Sequence, residues 1–212
     1  TGGFLLGLAL DAAGKIYACD SARREVVRID PLTGAVSTYS SGANGVPLRN
    51  PNFPAFDATG SLYVTDSGVW KANDGNVLVI RRGGETSVWS MELPHFPNGC
   101  CLNAEGDALL VIESLRAGVS RIPIRPDGTA GSPERVCDLP GSVPDGLAVD
   151  ESGGFFVACY RPERIYYVDA AGQVEIFAED PEGTVLAAPT NAVFVGADRR
   201  TLVIGSLGRW HL

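Results

Sequence analysis

Four segments of this chain repeat one pattern at a nearly fixed interval, and that regularity limits the fold more than any other feature. They are GLALDAAGKIYACD from Gly7, FPAFDATGSLYVTD from Phe53, GCCLNAEGDALLVIE from Gly99 and GLAVDESGGFFVACY from Gly146. Each is an apolar run, an acidic or amide residue, a turn glycine and a second apolar run. The turn glycines Gly14, Gly60, Gly106 and Gly153 are 46, 46 and 47 residues apart. A fifth unit, NAVFVGADRRTLVIGS from Asn191, keeps the phase. A period of this length marks one supersecondary unit whose apolar faces are buried by its neighbours.

The two apolar runs of each unit read as a hairpin around D-x-x-G, where glycine supplies the positive φ that other residues resist. Two more strands follow in each complete unit, EVVRIDP from Glu25 and AVSTYSS from Ala35 in the first, NVLVIRR from Asn76 and TSVWS from Thr86 in the second. No segment carries a helical period. The expected fold is therefore all-β, a β-propeller of four-stranded blades in one domain over 1–212, with units starting near residues 7, 53, 99, 146 and 192. About four and a half blades are counted, so a longer parent with further material on both sides is expected.

Composition narrows the function. A net charge of −8 and a pI near 4.7 leave no basic stripe with which to displace counterions, so nucleic acid is not an expected partner. No stretch approaches the roughly 20 apolar residues of a membrane helix, and no membrane partner is expected. The five cysteines, Cys19, Cys100, Cys101, Cys137 and Cys159, contain no C-x-x-C pair, and four lie in strand-like runs. They read as buried free thiols, which points to a reducing, cytoplasmic compartment.

The candidate site lies where blades converge. One place before each repeated run stand Leu6, Asn52, Asn98, Asp145 and, in the fifth unit, Asn191, again in phase. A lone Asn or Asp at such a place caps a turn. Four in phase would instead be brought by radial symmetry to one axis, as mostly neutral amide oxygens and one carboxylate. That set suits a hard cation such as calcium, or another divalent ion, where zinc or copper would prefer His and Cys. Asp11, Asp57 and Asp150 read as turn residues at the opposite phase. Asp20, Asp66 and Glu113, which end the second strands, read either as surface ladders or as groups behind the site.

The segments Phe96-Pro97-Asn98-Gly99, Val143-Pro144-Asp145-Gly146-Leu147-Ala148-Val149-Asp150 and Pro189-Thr190-Asn191-Ala192-Val193-Phe194 resemble the senescence marker protein and gluconolactonase family of six-bladed calcium-binding propellers, relatives of the paraoxonases and strictosidine synthase. The resemblance implies that Asn98 and Asp145 are metal ligands. It places Asn52 at a substrate-binding asparagine and makes Asn191 a further neighbour of the site. A first-blade glutamate ligand of the family has no counterpart here and would lie before Thr1. Several family lactonases carry aspartate where this chain has Phe53, and an arginine of the family falls on Asn50, with Arg49 beside it. Phe53 implies a pocket more apolar than a sugar-acid lactonase needs.

The function implied is calcium-dependent hydrolysis of a lactone or related ester. A cation over the channel would polarise the carbonyl, and Asp145 would act as the base toward water. His95 is a candidate proton shuttle at the rim. His211 has no serine or carboxylate motif beside it and there is no G-x-S-x-G elbow, so a serine triad is not expected. Trp70, Trp89 and Trp210 read as packing between blades. Two alternatives remain: a non-catalytic propeller offering its face to a partner, and a strictosidine-synthase-like enzyme.

Overall fold

The structure is a computed structural model and describes residues 2–208; Trp210 and His211 lie outside the described residues. The first blade is β1 (Leu5–Leu10), β2 (Ile16–Asp20), β3 (Glu25–Ile29) and β4 (Val36–Ser40). A short hairpin follows, β5 (Gly42–Ala43) and β6 (Val46–Pro47), turning on Asn44 and Gly45, both at positive φ. The second blade is β7 (Pro51–Phe56), β8 (Leu62–Asp66), β9 (Asn76–Ile80) and β10 (Thr86–Ser90), and the third is β11 (Pro97–Leu102), β12 (Ala108–Glu113), β13 (Gly118–Pro123) and β14 (Glu134–Asp138). The fourth is β15 (Val143–Val149), β16 (Phe155–Arg161), β17 (Arg164–Val168) and β18 (Val174–Glu179); β19 (Pro189–Val195) and β20 (Thr201–Ser206) form a two-stranded fifth sheet. Every sheet is an antiparallel meander in chain order, and no helix occurs among the described residues. The all-β propeller of four-stranded blades is the observed architecture.

The first strands begin at Leu5, Pro51, Pro97, Val143 and Pro189, 46 residues apart each time. They start two or three residues ahead of the repeated runs, because the segments carrying Asn52, Asn98, Asp145 and Asn191 belong to the strands rather than to the loops before them. The 47-residue interval between Gly106 and Gly153 is absorbed inside β15, one residue longer than β11. The first strands pack on one another in order, β1 on β7, β7 on β11, β11 on β15 and β15 on β19, and so line the axis.

Apolar layers lie between blades, and strand periodicity builds them. On β8, Leu62 and Val64 point into a layer shared with Tyr17, Cys19 and Val26 of the first blade, while Tyr63 points the other way, against Cys100, Leu109 and Val111 of the third. On β12, Leu109 and Val111 face the second blade, and Leu110 and Ile112 face Leu147, Val157 and Cys159 of the fourth. A strand buried on both faces has no polar alternation to show. This is why LYV and ALLVI read as unbroken apolar runs. The five cysteines are free, and all but the partly covered Cys101 are buried.

The hairpin turns behave as the sequence indicates. Asp11 Oδ1 accepts the amides of Ala13 and Lys15, each at 2.9 Å, and Asp57 and Asp150 repeat the arrangement. A strand tyrosine (Tyr17, Tyr63 or Tyr167) donates to the other oxygen of the same carboxylate. Trp89 packs between blades as expected: its Nε1 donates to the Gly128 carbonyl at 3.0 Å and its ring meets Tyr63 edge-on.

The glycines after Asn98 and Asp145 mark a close approach between first strands. A Cβ on Gly99 would lie 2.5 Å from the Asp145 carbonyl oxygen and 2.7 Å from Gly146 Cα, so the backbones of β11 and β15 meet with no room for a side chain. Gly99→Ala is expected to destabilise the protein by roughly 1–3 kcal/mol or more through forced separation of two blades. Urea denaturation checks this; an unchanged midpoint would show that the strands move apart freely.

Candidate active site at the channel mouth

The side chains singled out by phase sit where the ladder between the first two strands slips. In the second blade Pro51 pairs with Asp66 and Phe53 with Thr65, leaving Asn52 as the extra residue. In the third, Pro97 pairs with Glu113 and Cys100 with Val111, so Asn98 and Gly99 together oppose Ile112. In the fourth, Pro144 pairs with Cys159 and Gly146 with Ala158, with Asp145 between them. In the fifth, Thr190 is the extra residue and Asn191 follows it. A bulge bends the strand and re-aims its side chains. Five bulges at one level give the channel mouth a ring of redirected residues, with Leu6 in the first blade's place.

Buried hydroxyls hold the ring. Asn52 Nδ2 donates to Ser67 Oγ at 2.9 Å, and Ser67 Oγ donates to the Pro97 carbonyl of the next blade at 2.7 Å. One blade on, Asn98 Nδ2 donates to Ser114 Oγ at 3.1 Å, and Ser114 Oγ donates to the Pro144 carbonyl at 2.7 Å. Thr65 repairs the ladder that the second bulge breaks: its Oγ1 accepts the Phe53 amide at 3.0 Å and donates to the Asn98 carbonyl at 2.6 Å. Sequence reasoning passed over these serines. The signal was a serine directly after each second-strand acid, at Asp20-Ser21, Asp66-Ser67 and Glu113-Ser114.

Among the described residues, Asp145 is the only carboxylate in the ring. Burial pushes its pKa up to about 7, against a modest lowering by a hydrogen bond from Asn98. The Cys159 thiol lies close enough to feel its charge. Asn191 closes the next position, its Oδ1 accepting the Ala192 amide at 2.9 Å and abutting Gly146.

The structure thus brings Asn52, Asn98, Asp145 and Asn191 to one level. The other candidates lie around them with partners of their own. Asn50 Oδ1 accepts from Ser21 Oγ at 2.5 Å, and the Asn50 and Arg49 amides donate to Asp66 at 2.6 and 2.8 Å. The Arg49 guanidinium is ion-paired with Asp74. His95 Nδ1 shares a hydrogen bond with Asn73 Oδ1 at 3.0 Å. Arg49, Asp66, Asn73 and Asp74 line a cavity of about 430 Å³. The Phe53 ring packs against the layer between the second and third blades and over Gly7. Trp70 meets Phe96 edge-on at 4.8 Å, just before Pro97-Asn98.

Of the two readings of the second-strand acids, burial excludes the surface ladder, since Asp20, Asp66 and Glu113 are 0%, 2% and 0% exposed. Asp20 and Asp66 anchor the chain leading into their own first strands through the amides of Phe4, Arg49 and Asn50. Glu113 pairs with Arg135.

The donor set fits a hard cation. Among the described residues no three of His, Cys, Asp and Glu gather as a metal cluster; what gathers at the mouth is amide oxygen and one carboxylate. A partly buried carboxylate partnered by a neutral amide is short of positive charge, and a divalent ion would supply it.

A profile of the SMP-30/Gluconolactonase/LRE-like region matches residues 3–208. The chain is 28% identical over 174 residues to the protein strictosidine synthase-like 3 of Arabidopsis thaliana, covering 76% of this chain and 44% of that one. It is 25% identical over 197 residues to a gluconolactonase of Zymomonas mobilis, covering 83% and 52%. The chain therefore spans about half the length of these relatives. In fold it matches a calcium-binding protein, regucalcin, of Agrobacterium tumefaciens, with a TM-score of 0.78 at 17% identity over 99% of this chain and 70% of that one.

The raised pKa of Asp145 ties stability to pH. The folded protein holds this proton up to about pH 7, while an unfolded aspartate releases it near 4. The stabilisation is complete below about pH 4, declines as pH rises, and is lost above about 7. In chelator, Asp145→Asn is expected to be more stable than the unsubstituted protein at pH 8 by roughly 1–3 kcal/mol and equal to it at pH 4. Urea denaturation at the two pH values measures the difference; no difference at pH 8 would mean that the carboxylate is well solvated.

Proposed function

This chain belongs to the SMP-30/gluconolactonase/LRE-like family, and from that premise we propose that it is a calcium-dependent hydrolase of lactones or related esters, acting at the channel mouth. The observation that carries the reading is the bulge-borne ring, in which asparagine side chains of neighbouring first strands stand beside one partly buried carboxylate. The gluconolactonase relative supports the substrate class, and the fold shared with a calcium-binding propeller supports the cation.

Asn98 and Asp145 would hold the ion, with the Asn52 and Asn191 side chains beside them. When bound, calcium supplies Lewis acidity toward the ester carbonyl and favours the ionised form of Asp145. Asp145 does the proton work. Its carboxylate would take the proton of the attacking water in the step that adds water to the carbonyl. The same proton can then pass to the departing alkoxide oxygen as the ring C–O bond breaks, leaving a hydroxy acid. Asn52 and Asn98 orient substrate and ion without adding charge. Phe53 and the surrounding apolar layers keep competing water out and favour a lactone with few hydroxyls. Asn50 and His95 would meet the substrate's outer end, and Arg49 would draw an anionic substituent toward the rim.

Hydrolysis of a lactone and ester panel by the full-length protein, with calcium or with chelator, tests the reading. Asp145→Ala is expected to lower kcat by roughly 10²–10⁴-fold and chelator to abolish turnover. A protein inert to the whole panel with calcium present would favour a binding propeller instead.

A further inference from the structure

The two serines behind the ring do more than fill space. An amide has chemically different ends, and Asn52 and Asn98 can offer oxygen to a cation only if their nitrogens point elsewhere. A serine hydroxyl has one proton to give. Ser67 spends that proton on the Pro97 carbonyl and Ser114 on the Pro144 carbonyl, both at 2.7 Å. Each Oγ is left able only to accept, and the group that faces it must donate. The neighbouring amides therefore turn Nδ2 toward the serine, at 2.9 and 3.1 Å, and Oδ1 to the other side. Reversing either amide would set oxygen against oxygen with no proton between them, inside a site where Asn52, Ser67, Asn98 and Ser114 are 9%, 1%, 7% and 3% exposed.

We infer that Ser67 and Ser114 are positioning residues which, by donating to the next blade's proline carbonyl, fix the amide orientation of Asn52 and Asn98 and so present both Oδ1 atoms to the cation. The inference rests on the calcium reading given above. It also accounts for the break in the pattern at Asp145. The second strand of that blade runs into Arg161-Pro162 in place of an acid and a serine, and a carboxylate, whose two oxygens are equivalent, needs no such orientation. In the first blade, where Leu6 occupies the ring, Ser21 has no amide to turn and donates to Asn50 instead.

A double-mutant cycle read by calorimetric titration with calcium chloride tests this on the full-length protein. Ser114→Ala is expected to weaken calcium binding about ten-fold or more in the native background, but less than about three-fold in an Asn98→Asp background, where either oxygen can serve. Equal losses in the two backgrounds would reveal a purely structural serine and overturn the inference, as would no loss in either. Calcium binding that Asp145→Ala abolishes and Ser114→Ala leaves intact would overturn the inference alone. Absence of calcium binding by the unsubstituted protein would overturn the calcium reading as well. If Ser114→Ala does not fold, Ser67→Ala against Asn52→Asp runs the same cycle one blade earlier.

Discussion

Each middle blade must bury both faces of its sheet, and the rest of the structure depends on that requirement. A free-standing four-stranded sheet with Leu62, Val64 and Tyr63 pointing to opposite sides would leave one of its faces wet. Stacking blades radially covers both, at roughly 25 cal/mol for each Å² of apolar surface removed from water. The radial arrangement brings the first strands of successive blades together at the axis, where space is least. Side chains are excluded at the contact, which is why glycine follows Asn98 and Asp145 and why Gly7 lies under the Phe53 ring.

Crowding at the axis also accounts for the polar chemistry there. A bulge interrupts hydrogen bonding in a place that water reaches poorly, and the unpaired backbone groups need other partners. Thr65, Ser67 and Ser114 supply them from the neighbouring strand and blade. The same low-dielectric surroundings raise the Asp145 pKa. Scaffold and chemistry thus share one cause: what makes the inner strands fit also removes water from the carboxylate.

Much of this was legible in the sequence, for a physical reason. Strand content, the D-x-x-G turns and the in-phase Asn and Asp residues repeat because each blade meets the same neighbour in the same way, and repetition survives in one dimension. The β5–β6 hairpin occurs once and lacked that support, although Asn44-Gly45 is itself a turn signal. The serines were visible at the right spacing but stand behind more conspicuous acids. The Arg49–Asp74 and His95–Asn73 pairs join loops of unequal length and composition, so no period marks them. The environment of Asp145 is a property of burial, which a sequence position does not carry.

The apolar layers lie between consecutive blades, which makes the chain a nearly one-dimensional array in its energetics. Stability in such an array is close to a sum of nearest-neighbour terms. Blades two, three and four are each flanked on both sides, and they carry Asn52, Asn98 and Asp145. The groups assigned to the ion and the proton are thus held by layers shared between consecutive blades, so a loss of packing in one layer reaches two positions of the ring at once.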